Sequence, residues 1–225
     1  MNHNSFEHTS FDSLEKFEND ACSYIIKKAN ESIGARKSFY LVLCGGGTPK
    51  SIYSKLCHMN TDWSKWHIFF GDERCLPSDH PERNSVMARE CLLSKAPIPH
   101  EQVHFIDGEK GNIVAANQYD SMLNEVGDFD LVLLGFGEDG HTASLFPGHD
   151  WDNSKNAVAI FDAPKPPSER VSITSSRLSR SKNTLFLITG KNKVDAFVQW
   201  QKKIDLPASN ISAIDELKIY TFDVI

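Results

Sequence analysis

The feature that most constrains this chain is a repeated succession of short apolar runs, each stopping abruptly at glycine and polar residues and each followed by a stretch with helical spacing. "SFYLVLC" ends in "GGGTP", "WHIFF" in "GDE", and "DFDLVLL" in "GFGEDGH". Runs this short and this rich in strand formers are buried strands. Between them, Leu14, Phe17, Ala21, Ile25, Ala29 and Ile33 fall at three- and four-residue steps, which puts them on one face of a helix over Asp12 to about Gly34. Helices are expected again near Lys50, from about Asn84 to Ser94, from Asn112 to Val126, and over "KNKVDAFVQWQKKI". "RVSIT", "TLFLITG" and "LKIYTFDV" read as further strands. Buried strands alternating with helices predict an α/β, Rossmann-like domain: a mainly parallel sheet with helices on both faces. No internal repeat appears, and the proline-rich "DAPKPPSER" reads as a surface loop, so residues 1–225 are expected to form a single domain.

Ligands of open parallel sheets bind at the carboxyl ends of the strands. Three loops dense in glycine and polar residues, "GGGTPKS", "GDERCLPSDHPERNS" and "GFGEDGHTASLFPG", stand at such ends and should converge on one site. A formal net charge of −6 argues against a nucleic-acid partner, which calls for a basic face. It leaves a small anionic ligand open, because a few local cations and N–H groups suffice to hold one. The apolar runs fall far short of the roughly 20 residues a bilayer requires, and the polar start "MNHNSFEHTS" lacks a signal-peptide core. Five singly scattered cysteines with no CxxC pair suit free thiols. The expectation is a cytoplasmic protein with no membrane contact.

Several motifs dissolve on inspection. Gly135, Gly137 and Gly140 spell GxGxxG after a strand, yet Pro147 and Gly148 follow too soon for the long helix that a dinucleotide fold requires. "GGGTPKS" has Pro49 where a Walker loop needs glycine. "HEQVH" matches a zinc-protease pattern, but its prolines and alternation suit a strand, in which His100 and His104 would stand ~13 Å apart. No metal is expected. No GxSxG occurs, and nothing in the sequence supports pairing Ser144 with His141. What survives is an anion-binding turn of consecutive glycines, with Thr48 as N-cap and Pro49 as first helical residue, and two acidic clusters after strands, "GDER" and "EDGH".

Taken together, "CGGGTPKSIYSKL", "FFGDERCLPSDHPERNSVMARECLL" and "DLVLLGFGEDGHTASLFPG" resemble the signature segments of the 6-phosphogluconolactonase family, a likeness extended by "PKPPSERVSIT", "GKNK" and "LPAS". The resemblance implies hydrolysis of a small sugar-phosphate lactone, 6-phosphogluconolactone, without a cofactor. His141 would serve as general base, oriented by Asp139 or Asp72, and Arg74 would stabilise the oxyanion. Gly45, Gly46, Gly47, Thr48 and Asn84, with Arg170 and Lys193 from later segments, would bind the substrate and its phosphate. Gly47 and Arg83 depart from the family pattern, standing where serine and a small residue are usual. Two alternatives remain. Related hexosamine-6-phosphate deaminases carry a glutamate where this chain has Phe146, and a non-catalytic sugar-phosphate-binding protein could use the same fold. The sequence is silent between monomer and dimer.

Overall fold

The runs "SFYLVLC", "WHIFF" and "DFDLVLL" each become a parallel strand. The computed structural model describes residues 6–224, so residues 1–5 of the polar start and Ile225 lie outside the described residues. In chain order the elements are β1 (Glu7–Phe11), α1 (Leu14–Arg36), β2 (Phe39–Leu43), α2 (Gly47–Leu56), β3 (Trp66–Phe70), β4 (Asp72–Arg74), α3 (Asn84–Ala88), β5 (Val103–His104), α4 (Asn112–Asn124), β6 (Phe129–Leu134), β7 (Ala157–Ile160), β8 (Arg170–Ile173), α5 (Ser175–Leu178), β9 (Ser181–Thr189), α6 (Val194–Gln201) and β10 (Glu216–Phe222). The main sheet has seven strands in the order β1-β10-β9-β6-β2-β3-β5, and every neighbouring pair is parallel. From β2 the chain builds outward through β3 and β5, then returns to place β6 on the other side of β2. The order of strands therefore reverses between β2 and β6, and a crevice opens there at the carboxyl ends.

Burial follows the pattern of the sequence. All six residues of β6 are buried, as a strand covered on both faces requires. Phe17, Ala21, Ile25 and Ala29 of α1 are fully buried. Leu14, expected on the same face, is 44% exposed at the first position of the helix, next to the capping side chain of Ser13. His100–Gln102 form a single tight turn and His104 lies in β5, so the two histidines of "HEQVH" do not share a helix face.

Two features were not legible. The polar alternation of "EHTSF" hid β1, which adds to the sheet edge beside β10. "RVSIT" is a strand, but it belongs to a second, antiparallel sheet of three strands in the order β4-β8-β7. That small sheet ties the "DER" segment to Arg170: Arg74 pairs with Arg170 and Asp72 with Ser172.

Burial also sets an acid sensitivity. His67 and His104 stack with ring centroids 6.1 Å apart against Phe69 and Tyr40, and burial lowers the pKa of both below the ordinary 6.5. Burial lowers that of His8 as well, beside Thr221. Their folded forms hold fewer protons than the unfolded chain near pH 6. The stability they contribute is therefore present above about pH 6.5 and is lost as the pH falls through the lowered folded values. Denaturant midpoints should drop between pH 7.5 and 5.5, and the double variant His67→Phe, His104→Phe should flatten that slope; an unchanged slope would contradict the assignment.

Candidate active site

The two loops that leave β2 and β6 flank the crevice where the strand order reverses. After β2, Gly46 adopts φ 113°, a conformation that disfavours side chains, and α2 starts at Gly47 with no side-chain cap. The N-cap is thus Gly46, not Thr48 as its residue type suggested: the triple glycine lets the helix begin earlier and leaves its first N–H groups without a capping oxygen. Thr48 instead meets Thr189 at the end of β9, with hydroxyls 2.6 Å apart.

After β6 the chain turns through "GFGEDGH". Asp139 Oδ1 accepts from the backbone N–H of His141 at 3.1 Å and lies 2.6 Å from its Nδ1. A carboxylate there fixes the tautomer: Nδ1–H donates to Asp139, and Nε2 is left as the basic nitrogen. Burial tends to raise the pKa of Asp139, but the ring and backbone hydrogen bonds from His141 outweigh it and hold the carboxyl at about 2, so it is ionised at neutral pH. Of the glycines that imitate a nucleotide fingerprint, Gly137 makes room for this histidine. A Cβ on Gly137 would overlap Nδ1 and Cε1 of His141 and come within 2.6 Å of Asp139 Oδ1. Gly140, at φ 82°, lies so close to Leu206 that a Cβ would sit 2.8 Å from its Cδ1.

The "DER" strand supplies a third wall. Asp72 is buried and does not orient His141: its Oδ2 accepts from Ser144 Oγ at 2.6 Å and its Oδ1 from Asn84 Nδ2 at 2.9 Å. Of the two carboxylates expected beside the imidazole, Asp139 is the one in hydrogen-bond contact with it. The same bond explains Ser144, whose fully buried hydroxyl is held by Asp72. Asn84 packs directly against Gly45, where a Cβ would collide with its amide, so Gly45 is required to be small. Arg74 donates through Nη1 to the Glu82 carbonyl, while its buried Nε has no partner among the described residues.

These residues line one cavity of about 440 Å³, within the usual range for a small ligand. Gly45, Gly46, Gly47, Thr48, Asp72, Arg74, Asn84, His141, Arg170 and Lys193 all border it. Asp139 stands behind His141 rather than on the wall. Arg170 is less free than its residue type suggested: Nε donates to Pro167 O at 3.0 Å and Nη2 to Lys165 O at 2.7 Å, and its guanidinium lies 5.6 Å from the Phe146 ring centroid. It anchors the loop before β8 as well as facing the cavity. Phe146 packs its ring 4.7 Å from that of His141. Thr189 and Lys165 also line the cavity and were not singled out from the sequence. Thr189 could have been found as the last residue of a strand at the carboxyl edge, whereas Lys165 sits in a proline-rich loop whose direction no periodicity reveals. Among the described residues no cluster of three or more His, Cys, Asp or Glu is placed to hold a metal, and no helix is long and apolar enough to cross a membrane.

The family model for glucosamine-6-phosphate isomerases/6-phosphogluconolactonase matches residues 12–219. A probable 6-phosphogluconolactonase 3, chloroplastic, of Oryza sativa subsp. indica is 36% identical over 206 residues, covering 83% of this chain and 63% of the relative, so this chain spans under two thirds of that length. The 6-phosphogluconolactonase of Thermotoga maritima is 36% identical over 185 residues, covering 80% of this chain and 83% of the relative. The crystal structure of 6-phosphogluconolactonase from Thermotoga maritima superposes with a TM-score of 0.89 at 27% identity, covering 97% of this chain and 100% of the other. A monomeric glucosamine-6-phosphate deaminase superposes with a TM-score of 0.84 at 19% identity, covering 97% and 98%, a likeness of fold alone.

Proposed function

We infer that this chain, which belongs to the glucosamine-6-phosphate isomerase/6-phosphogluconolactonase family, hydrolyses 6-phospho-D-glucono-1,5-lactone to 6-phospho-D-gluconate, the lactone step of the oxidative pentose phosphate pathway. The observation that carries this reading is the ionised Asp139 bound to Nδ1 of His141, which leaves Nε2 basic on a cavity that an uncapped helix N-terminus also borders.

Hydrolysis needs a proton removed from water, a place for the charge that builds on the carbonyl oxygen, and a proton for the leaving ring oxygen. Nε2 of His141 takes the proton as water attacks the lactone carbon, and the imidazolium so formed, stabilised by Asp139, returns it to the departing alkoxide. Arg74 offers the oxyanion the guanidinium donors that Glu82 does not occupy, an interaction worth about 3 kcal/mol of barrier for one well-placed donor. The N–H groups of Gly47 and Thr48 at the start of α2, with Lys193, receive the phosphate and so hold the lactone for attack. Phe146, where the deaminases have a glutamate, supplies no carboxylate for ring opening. With all five cysteines unpaired, the cytoplasm is the proposed compartment.

The test is a coupled assay in which fresh 6-phosphogluconolactone is offered with and without the protein, at a pH low enough to slow spontaneous hydrolysis. Acceleration of 6-phosphogluconate formation is expected. An unchanged rate, or release of ammonia from glucosamine 6-phosphate, would overturn the reading.

A further inference from the structure

Three separate segments meet at the carboxylate of Glu138, whose partner Lys165 borders the cavity. Glu138 Oε1 accepts from Asn192 Nδ2 at 2.7 Å, and the same oxygen lies 3.6 Å from Lys165 Nζ. Glu138 belongs to the turn that carries His141, Lys165 to the proline-rich loop, and Asn192 to the turn before α6. Lys165 and Lys193 both line the cavity that the glycine-rich turn also borders. The carboxylate is held below its usual range by Asn192 first, then by the charges of Lys165 and Lys193. Burial lowers the pKa of Lys193, and Glu138 opposes that shift.

The carbonyl of Lys165 is fixed by Arg170 Nη2, so the loop backbone is anchored while the lysine side chain remains 68% exposed. Its ammonium is therefore a cation on a firm base with freedom to swing. A carboxylate and a phosphate are alternative partners for such a group, and phosphate, with more charge and more acceptor oxygens, is the stronger one.

On the reading that the cavity binds a sugar phosphate, we propose that Lys165 is an additional phosphate-binding residue and that Glu138 is its internal competitor, so that an arriving phosphate takes the lysine away from the carboxylate. The exchange favours dianionic ligands, since a weaker anion gains too little to displace Glu138. Three observations support it: the lysine borders the cavity, its present partner is a partly exposed carboxylate that binds it weakly, and Asn192 keeps that carboxylate in place once the lysine leaves.

The experiment is calorimetric titration of 6-phosphogluconate and of inorganic phosphate into the full-length wild type, Lys165→Gln, Glu138→Gln and the double variant. Lys165→Gln should weaken both ligands about fivefold. Glu138→Gln should tighten both by about twofold to fivefold, the scale of a partly exposed ion pair, and this gain should largely vanish in the Lys165→Gln background. Weaker binding in Glu138→Gln would show a latch rather than a competitor and overturn the proposal. An equal gain in both backgrounds would show simple charge repulsion and overturn it too, as would unaltered affinity in Lys165→Gln. Failure of the wild type to bind either ligand would instead remove the sugar-phosphate reading on which the proposal rests. Melting temperatures of the four proteins, expected to agree within a few degrees, would exclude misfolding as the cause.

Discussion

His141→Ala should lower kcat for 6-phosphogluconolactone by about 10²- to 10⁴-fold while leaving 6-phosphogluconate binding within a few fold of wild type. The split follows from geometry. In the proposed mechanism the imidazole moves protons, whereas the N–H groups of α2 and the ammonium of Lys193, elsewhere on the same cavity, hold the phosphate. Gly137→Ala should reproduce most of the loss without touching a reactive group, since the added methyl occupies the space of the ring and crowds Asp139 Oδ1. Spontaneous lactone hydrolysis sets the floor of the measurement, so rates are compared after subtracting it. Turnover by His141→Ala at the wild-type rate would eliminate the imidazole as base; equal turnover by Gly137→Ala would show that the turn relaxes around the methyl.

That turn also shows how far the sequence could be read. The position of Gly137 after a buried strand was legible, and so was the failure of the following residues to make a nucleotide-binding helix. Its purpose was not, because the constraint comes from a ring four residues later folding back over the backbone, a contact that no periodicity encodes. The parallel strands were legible for the opposite reason: burial on both faces demands continuous apolar runs such as "FDLVLL", which are visible in one dimension. The antiparallel β4-β8-β7 sheet escaped because its strands are only three or four residues long: β4 is wholly charged, β8 opens on Arg170, and the apolar run of β7 is four residues. For the same reason Arg170 could be expected at the site, but not its attachment to the loop carbonyls of Lys165 and Pro167. Asp72 was legible as a carboxylate bordering the cavity but not as the partner of Ser144 and Asn84. Its role depends on β4 running beside β8, which lies nearly a hundred residues later in the chain.

Glu73→Ala should be the most destabilising single change near the site, costing about 3–5 kcal/mol, although the side chain is fully buried and never touches the cavity. One oxygen accepts from the backbone N–H groups of Arg74 and Asn84, both at 2.8 Å, and the other from that of Ser85, also at 2.8 Å. The carboxylate thus closes the loop between β4 and α3 and satisfies the start of that helix, where no side-chain cap exists. It also lies 3.4 Å from the Nε of Arg83, a guanidinium only 4% exposed whose Nη2 donates to Ile106 O. Arg83, unexpected from the family pattern, is accommodated because this carboxylate faces it. Removing Glu73 strands three N–H groups and a buried cation together. At about 2–4 °C per kcal/mol for a chain this size, the melting temperature should fall by roughly 10 °C. The double variant Glu73→Ala, Arg83→Met should recover only part of that loss: it removes the stranded cation but leaves the N–H groups of Arg74, Asn84 and Ser85 unpaired. Melting within two degrees of wild type would mean that water or a neighbouring group replaces the carboxylate. A loss of kcat/KM measured well below the lowered melting temperature would show that the same contacts also set Arg74 and Asn84 in register with the cavity, since those two residues lie on either side of the loop that Glu73 closes.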